Sequence, residues 1–202
     1  LLTVDMVFGP GMSFHPQAYG VTPSTWASLP YLMVLHCLSV VLPAWVVQKS
    51  VLFLVLWLSG IGAHRLISAP TIGAYFGGLL YMLNPYVGLR LLLGQWTMLA
   101  VFAVIPFAVA AMLELVRSRS RVAAVKVALL WTLAGIFQLH GFALVGTIYL
   151  IVVLGELVRT RYRVQFLKSL LLPTLVGGAA FVLLNAYWLV SLSGFALGRI
   201  DR

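Results

Sequence analysis

The chain alternates between long apolar runs and short polar stretches, and this pattern predicts an all-α protein. A helix needs about 20 apolar residues to cross a hydrocarbon core of about 30 Å. Backbone groups in lipid must find their hydrogen bonds inside the same element, which favours helices for these runs. We expect a polytopic transmembrane bundle of six or seven hydrophobic helices. Their segments are 31–47, 51–61, 71–83, 96–116, a pair that shares 126–159, and 170–192.

Composition supports a membrane protein and excludes a soluble domain. The chain is 62% hydrophobic and 8% charged, with a mean hydropathy of +1.07. Soluble domains carry about 25% charged residues. We therefore predict one membrane domain over 1–202, multi-pass in the cytoplasmic (inner) membrane, with an extracytoplasmic loop at 1–30 and a helical bundle at 31–202. The chain lacks an initial Met and stops soon after an apolar run, so we expect it to be a fragment of a longer protein.

The segment 31–47 is the ambiguous element of this topology. It contains His36 and Pro43, is followed by Lys49, and its length is at the lower limit for a span. If it crosses the membrane, the N-terminal loop is cytoplasmic. We favour an interfacial or re-entrant segment, which leaves that loop outside.

The pair of helices in 126–159 is predicted to form a hairpin that turns near Gln138, His140 and Gly141. A single long helix would place the two arginine-rich stretches on opposite sides of the membrane, against the positive-inside bias. In the last helix, Asn185, Tyr187 and Trp188 are expected at the membrane interface.

The net charge of +9 is concentrated in two loops, which we interpret as a topology signal. Eight of the 13 basic residues lie there: Arg117, Arg119, Arg121, Lys126, Arg159, Arg161, Arg163 and Lys168. The stretch Glu114–Arg121 recurs as Glu156–Arg163, and each glutamate can pair with the arginine three residues on. We expect both loops in the cytoplasm, which places a second external loop at 84–95. We also expect membrane lipids as partners, and no nucleic acid.

Asp5 is the first candidate for chemistry, because it is the only acid in the N-terminal loop. Its apolar neighbours would hold the carboxylate near the membrane surface, where it could act as a general base or help to bind a divalent cation. The alternative is a loop acid that accepts hydrogen bonds from nearby backbone amides. His15, beside Pro16, is either a surface residue or part of the site.

The stretch from Tyr81 to Trp96 supplies the predicted substrate-binding residues: Asn84, Tyr86, Arg90 and Gln95, together with His15. Arg90 stands among leucines with no acid nearby in the sequence. An isolated guanidinium at membrane depth is costly unless it faces a polar cavity or a partner, and its geometry suits phosphate. The alternative is that Arg90 reaches the lipid headgroups along an extended side chain.

Soluble-enzyme signatures are missing from the sequence. Cys37 is the only cysteine, which excludes an internal disulfide. The chain contains no cluster with zinc-ligand spacing, nucleophile elbow, P-loop, dinucleotide fingerprint or HExxH motif.

The order of elements resembles the N-terminal membrane module of GT-C-type glycosyltransferases, especially their bacterial and archaeal branches. Three features carry the resemblance: Asp5 in a loop ahead of a hydrophobic pair, the ending Leu58-Ser-Gly-Ile-Gly-Ala-His-Arg-Leu66, and Tyr81-Met-Leu-Asn-Pro-Tyr86 through Arg90 to Gly94-Gln95-Trp96. The resemblance covers most of residues 1–116. It implies a GT-C-like fold.

The resemblance also implies an activity: transfer of a sugar from a polyprenyl-phosphate donor to an extracytoplasmic glycan or protein acceptor. It implies that Asp5 is the catalytic base or assists a metal. The second loop departs from the acidic pattern of that family, since it has Arg90 and Gln95, so a divalent metal is left open. The alternatives are a transporter or lipid-flipping protein, in which Arg90 binds an anionic headgroup, and a non-catalytic membrane assembly subunit.

Overall fold

The computed structural model describes residues 27–67 and 72–196, and the side chains as far as 190. Within these ranges all regular structure is helical, which confirms the all-α prediction. The described helices are α1 (Leu29–Val41), α2 (Ala44–Leu66), α3 (Ile72–Met82), α4 (Pro85–Leu92), α5 (Trp96–Ser118), α6 (Arg121–Phe137), α7 (Leu139–Arg159) and α8 (Arg163–Ala196).

Four of these helices are long and apolar enough to cross a membrane, namely α2, α5, α7 and α8. The most apolar 18 residues of α5 are 61% buried inside the bundle, whereas those of α7 are only 11% buried. Helix α5 is therefore the centre around which the other helices pack. Helices α1, α3, α4 and α6 are shorter, and α6 has 17 residues.

The bundle has two ends that differ in chemistry. At one end, Arg119 and Ser120 connect α5 to α6, and residues 160–162 connect α7 to α8; we call this the arginine end. At the other end, Gln138 alone separates α6 from α7, which confirms the predicted hairpin. The Thr97 hydroxyl at the start of α5 donates to Gln138 Oε1 over 3.3 Å. We call this the Gln138 end.

The predicted break between 31–47 and 51–61 is wrong in position. Helix α1 stops at Val41, and α2 begins at Ala44 and continues through Lys49. Leu42 is extended (φ −117°, ψ 146°) because the following Pro43 disfavours helical geometry there. Lys49 does not interrupt α2, since its ammonium lies 5.1 Å from the centre of the Trp45 ring and reaches outward.

Helix α1 has both ends at the Gln138 end. Its 13 residues span about 20 Å. The Tyr31 ring packs edge-on against Trp96 (5.5 Å between centroids) and stacks on Phe137 (5.6 Å). Its other end leads into α2, whose Val47 packs in the same buried cluster as Trp96. Just before α1, the carbonyl of Ala27 accepts a hydrogen bond of 2.7 Å from the Tyr187 hydroxyl. The described chain therefore begins at the Gln138 end.

Helix α3 returns along α2 and positions α4. A Cβ on Gly78 would lie 2.7 Å from the carbonyl oxygen of Gly60, so the two helices approach closely at these glycines. At the end of α3, the Tyr81 ring stacks on Phe102 of α5 (4.0 Å) and its hydroxyl donates to the Phe102 carbonyl (2.9 Å). These contacts place α4 beside the start of α5.

Helix α8 packs closely along α6 and contacts α7, which precedes it in the chain, through a few side chains such as Phe142 against Phe181 and Trp188. Asn185 of α8 is fully buried and donates to the Thr132 hydroxyl of α6 over 2.8 Å. It also accepts a hydrogen bond from Trp188 Nε1. The expectation that Asn185 belongs to an interfacial belt is thus wrong, because its amide joins two helices inside the bundle.

The two basic loops use their glutamates differently. Glu156 pairs with Arg159 as predicted, at 3.3 Å between Oε2 and Nε. Glu114 does not pair with Arg117; it binds Lys126 of the next helix, at 2.8 Å from Nζ. The prediction from the repeated sequence is confirmed for one copy and wrong for the other.

Candidate functional site

Helix α4 replaces the predicted loop between Asn84 and Gln95. Asn84 caps this helix: its Oδ1 accepts from the Val87 amide (3.0 Å), and its Nδ2 donates to the Tyr81 carbonyl (2.8 Å). Asn-Pro is a favourable helix start, because the side chain satisfies a free amide and proline fits the first turn. Both ends of the Asn84 amide serve the backbone, and a substrate contact for it stays a prediction.

Three of the predicted binding residues, Tyr86, Arg90 and Gln95, lie together on α4 and in the turn that follows it. The guanidinium of Arg90 is 5.0 Å from the centre of the Tyr86 ring, one turn earlier on the same helix. Arg90 Nη1 donates to Gln95 Oε1. The backbone N–H of Gln95 in turn donates to the backbone carbonyl of Arg90 (2.9 Å), which closes the turn between α4 and α5. The guanidinium is thus held on one side by an aromatic ring and on the other by an uncharged acceptor.

The charge of Arg90 has no acidic counterpart among the described residues. The two acids in the described ranges, Glu114 and Glu156, both lie at the arginine end and are paired there. Arg90 Nε is buried and finds no hydrogen-bond acceptor within the described part of the chain. Burial of an unsatisfied donor is unfavourable, so this atom has the capacity to bind an anionic oxygen.

A cavity of about 430 Å³ opens on the other side of Tyr86. Its lining includes Phe102 and Ile105 of α5 and His140 and Leu144 of α7. The volume is in the usual range for small-molecule sites. His140 was assigned from the sequence only to the turn near Gln138. In the structure His140 lines this cavity, which shares Tyr86 with the group formed by Tyr86, Arg90 and Gln95.

A second cavity, of about 530 Å³, lies between α1, α2, α5 and α6. Its walls are apolar and include Leu35, Val55, Ala103 and Leu133. Tyr31 and Trp96 close it towards the Gln138 end. The Gln138 end therefore combines a fixed cation with two cavities whose walls are mainly apolar.

Two predicted site residues, Asp5 and His15, lie outside the described residues. Across 27–67 and 72–196, no three His, Cys, Asp or Glu side chains come together in a way that could hold a metal ion. The possible divalent metal therefore stays a prediction, attached to Asp5.

Comparisons add no relative against which this site can be aligned. No family model matches the chain, and no curated protein or solved structure matches it.

Proposed function

We propose that this chain is the membrane module of a GT-C-type glycosyltransferase, an integral multi-pass protein of the cytoplasmic membrane. It transfers a sugar from a polyprenyl-phosphate donor to an extracytoplasmic glycan or protein acceptor at the Gln138 end. The main support for this proposal is Arg90. Its guanidinium is positioned by Tyr86 and Gln95, its Nε is buried, and it has no acidic partner in the described ranges.

The donor phosphate is the natural ligand for Arg90. Guanidinium presents its donors in a plane and binds phosphate oxygens through two hydrogen bonds at once. Tyr86 and Gln95 restrict its motion, so less conformational freedom is lost on binding. In this arrangement the phosphate oxygens accept from N–H groups in the plane of the guanidinium, and the sugar extends into the cavity with Tyr86 and His140.

The hydrocarbon part of the donor belongs in apolar surroundings. Burial of apolar surface contributes about 25 cal/mol per Å², so an isoprenoid chain gains several kcal/mol from a modest contact area. Exposed leucines surround Arg90 on α4, with Leu89 and Leu92 both more than half exposed. They allow the donor to enter sideways from the membrane with its phosphate at the level of Arg90.

Asp5 is the proposed catalytic base. The described chain begins at the Gln138 end, where the Ala27 carbonyl accepts a hydrogen bond from the Tyr187 hydroxyl, and the same end carries Arg90. The Asp5 carboxylate takes the proton from the acceptor hydroxyl while the oxygen of that hydroxyl forms a bond to the anomeric carbon of the sugar. The bond from that carbon to the phosphate oxygen breaks, and Arg90 stabilises the charge that develops on the departing phosphate.

The orientation follows from the charges. Basic residues concentrate on cytoplasmic loops, and all eight residues of the two basic loops lie at the arginine end. The Gln138 end then faces outward, where a polyprenyl-phosphate donor meets an acceptor outside the cell.

The test is transfer of labelled sugar from polyprenyl-phosphate donors by the full-length protein in proteoliposomes. Asp5→Asn should lower kcat at least about 100-fold, as expected for loss of a general base. Arg90→Gln should raise KM for the donor and lower kcat, whereas Arg90→Lys should recover part of the loss. The matched controls Asp201→Asn and Lys49→Gln remove one charge each and should leave transfer unchanged.

Two outcomes would contradict the proposal. Undiminished transfer by Asp5→Asn removes the proposed base, and undiminished transfer by Arg90→Gln removes the phosphate site. If the protein instead moves labelled polyprenyl phosphate between leaflets and forms no covalent product with any donor, the lipid-flipping alternative is correct.

A further inference from the structure

The second basic loop forms a large open pocket at the arginine end. Residues 158–165 and Lys168 enclose about 910 Å³. This loop connects α7 and α8, two consecutive helices that contact each other farther from the arginine end, where Phe142 meets Phe181 and Trp188. Helix α8 leaves α7 to pack along α6, and the loop must cover the resulting gap.

The pocket is strongly basic. Arg159, Arg161, Arg163 and Lys168 line it, and Glu156 is the one acid close to it in the described ranges. Glu156 is occupied by Arg159. Arg161, Arg163 and Lys168 therefore have no acidic partner among the residues that the structure describes, although their side chains converge on one concave surface.

The rim of the pocket is apolar. Val158, Tyr162 and Val164 are 76%, 71% and 67% exposed, and each is a neighbour in sequence of a basic residue. A site for a soluble polyanion gains nothing from exposed valines. An anionic phospholipid has both chemistries, because its phosphate binds guanidinium groups and its acyl chains lie against apolar side chains.

We propose that this pocket is a specific binding site for the phosphate of an anionic phospholipid in the leaflet at the arginine end. Arg161 and Arg163 bind the phosphate oxygens, Lys168 adds a third positive charge, and Val158, Tyr162 and Val164 contact the upper acyl chains. The site lies at the opposite end from Arg90, so it does not depend on the proposed glycosyl transfer.

The experiment compares two charge-matched variants of the protein in phosphatidylcholine bilayers that contain spin-labelled phosphatidylglycerol. The site variant is Arg161→Gln with Arg163→Gln. The control variant is Arg117→Gln with Arg121→Gln, which removes two exposed arginines from the first basic loop. The measured quantity is the ratio of association constants for phosphatidylglycerol and phosphatidylcholine.

We expect this ratio to fall about 30-fold in the site variant, since the two removed arginines contribute about 1 kcal/mol each to binding of the anionic lipid. In the control variant it should fall no more than about twofold. All four arginines are exposed, so both variants should fold; an unchanged melting temperature in the same bilayers verifies this.

Equal losses in the two variants would reduce the effect to general electrostatic attraction and overturn the site. An unchanged ratio in the site variant would overturn it as well. Displacement of phosphatidylglycerol by millimolar inorganic phosphate from the unaltered protein would show that the pocket takes a soluble anion, against the lipid assignment.

Discussion

The two basic loops share the sequence Glu-Leu-Val-Arg and yet have different structures. In the first, Glu114 reaches across from α5 to Lys126 of α6. In the second, Glu156 stays with Arg159 of its own helix. A lysine also follows Glu156 at the same separation of 12 residues, but this Lys168 lines the open pocket instead.

The difference arises from which helices pack together. Helices α5 and α6 lie side by side along much of their length, so the positions on either side of the first loop come into contact. Helix α8 packs along α6 rather than α7, which keeps Lys168 away from Glu156. Arg119 of the first loop even lies over Phe166 of α8, at 5.7 Å from the ring centre. Tertiary packing therefore determines which partner each of the two Glu-Leu-Val-Arg stretches binds. Three predictions test this comparison.

The largest effect is expected where α8 meets α6. A Cβ at Gly177 would lie 3.0 Å from the Ala124 carbonyl oxygen and 3.2 Å from its Cβ, whereas a Cβ at Gly178 meets nothing within 4 Å. Gly177→Leu should lower the free energy of unfolding by about 3 kcal/mol, because overpacking pushes the two helices apart. SDS-driven unfolding in detergent micelles, followed by circular dichroism, measures this loss.

The neighbouring glycine is the matched control. Gly178→Leu adds the same side chain one position further on and should change stability by no more than about 1 kcal/mol, since leucine favours helix over glycine. If the two substitutions cost the same, α8 is not packed on α6 through the Gly177 face.

An intermediate effect is expected from the polar contacts of α8. Thr132 is 5% exposed and accepts from Asn185, which links α6 to α8 inside the bundle. The link between α7 and α8, from Tyr149 to Thr174, is longer (3.3 Å) and exposed. Thr132→Val should cost about 1 kcal/mol, in the range of hydrogen bonds between membrane helices, because it removes a partner of buried Asn185.

Thr174→Val is the corresponding change on the side of α7. It should alter the free energy of unfolding by less than about 0.3 kcal/mol, because the lost hydrogen bond is long and lies on the outer surface of the helix pair. The same SDS titration compares the two. A larger loss for Thr174→Val would place the important polar contact of α8 on α7 and reverse the comparison.

The features that the sequence predicted correctly are those fixed by local chemistry. Helical structure, the apolar helices and the hairpin at Gln138 follow from hydropathy and from the positions of the arginines. The grouping of Arg90 with Tyr86 and Gln95 is also local, since one helical turn and one tight turn bring these side chains together.

The features that sequence reasoning missed depend on context. The charges at 163–168 suggested that the last helix starts near Leu170, but α8 begins at Arg163 because basic residues are tolerated in a helix that emerges from the bundle. Helix α4 has only eight residues and too little periodicity to be predicted as a helix, although Asn84 and Pro85 are sequence signals of a helix start. Burial of Asn185 required knowing that Thr132 lies opposite.

The smallest effect is expected from Glu156 itself, and it links the comparison to the lipid site. The Arg159 side chain is 78% exposed, and such pairs contribute only a few tenths of a kcal/mol to stability. Glu156→Gln should therefore leave the melting temperature almost unchanged. It releases Arg159 into the pocket, so the preference for phosphatidylglycerol over phosphatidylcholine should rise about twofold.

Glu114→Gln makes the same change of charge and releases Lys126 on the surface of α6, away from the pocket, and should leave that preference unchanged. If both substitutions raise the preference equally, the net charge of the arginine end controls lipid binding, and the two copies do not differ in function.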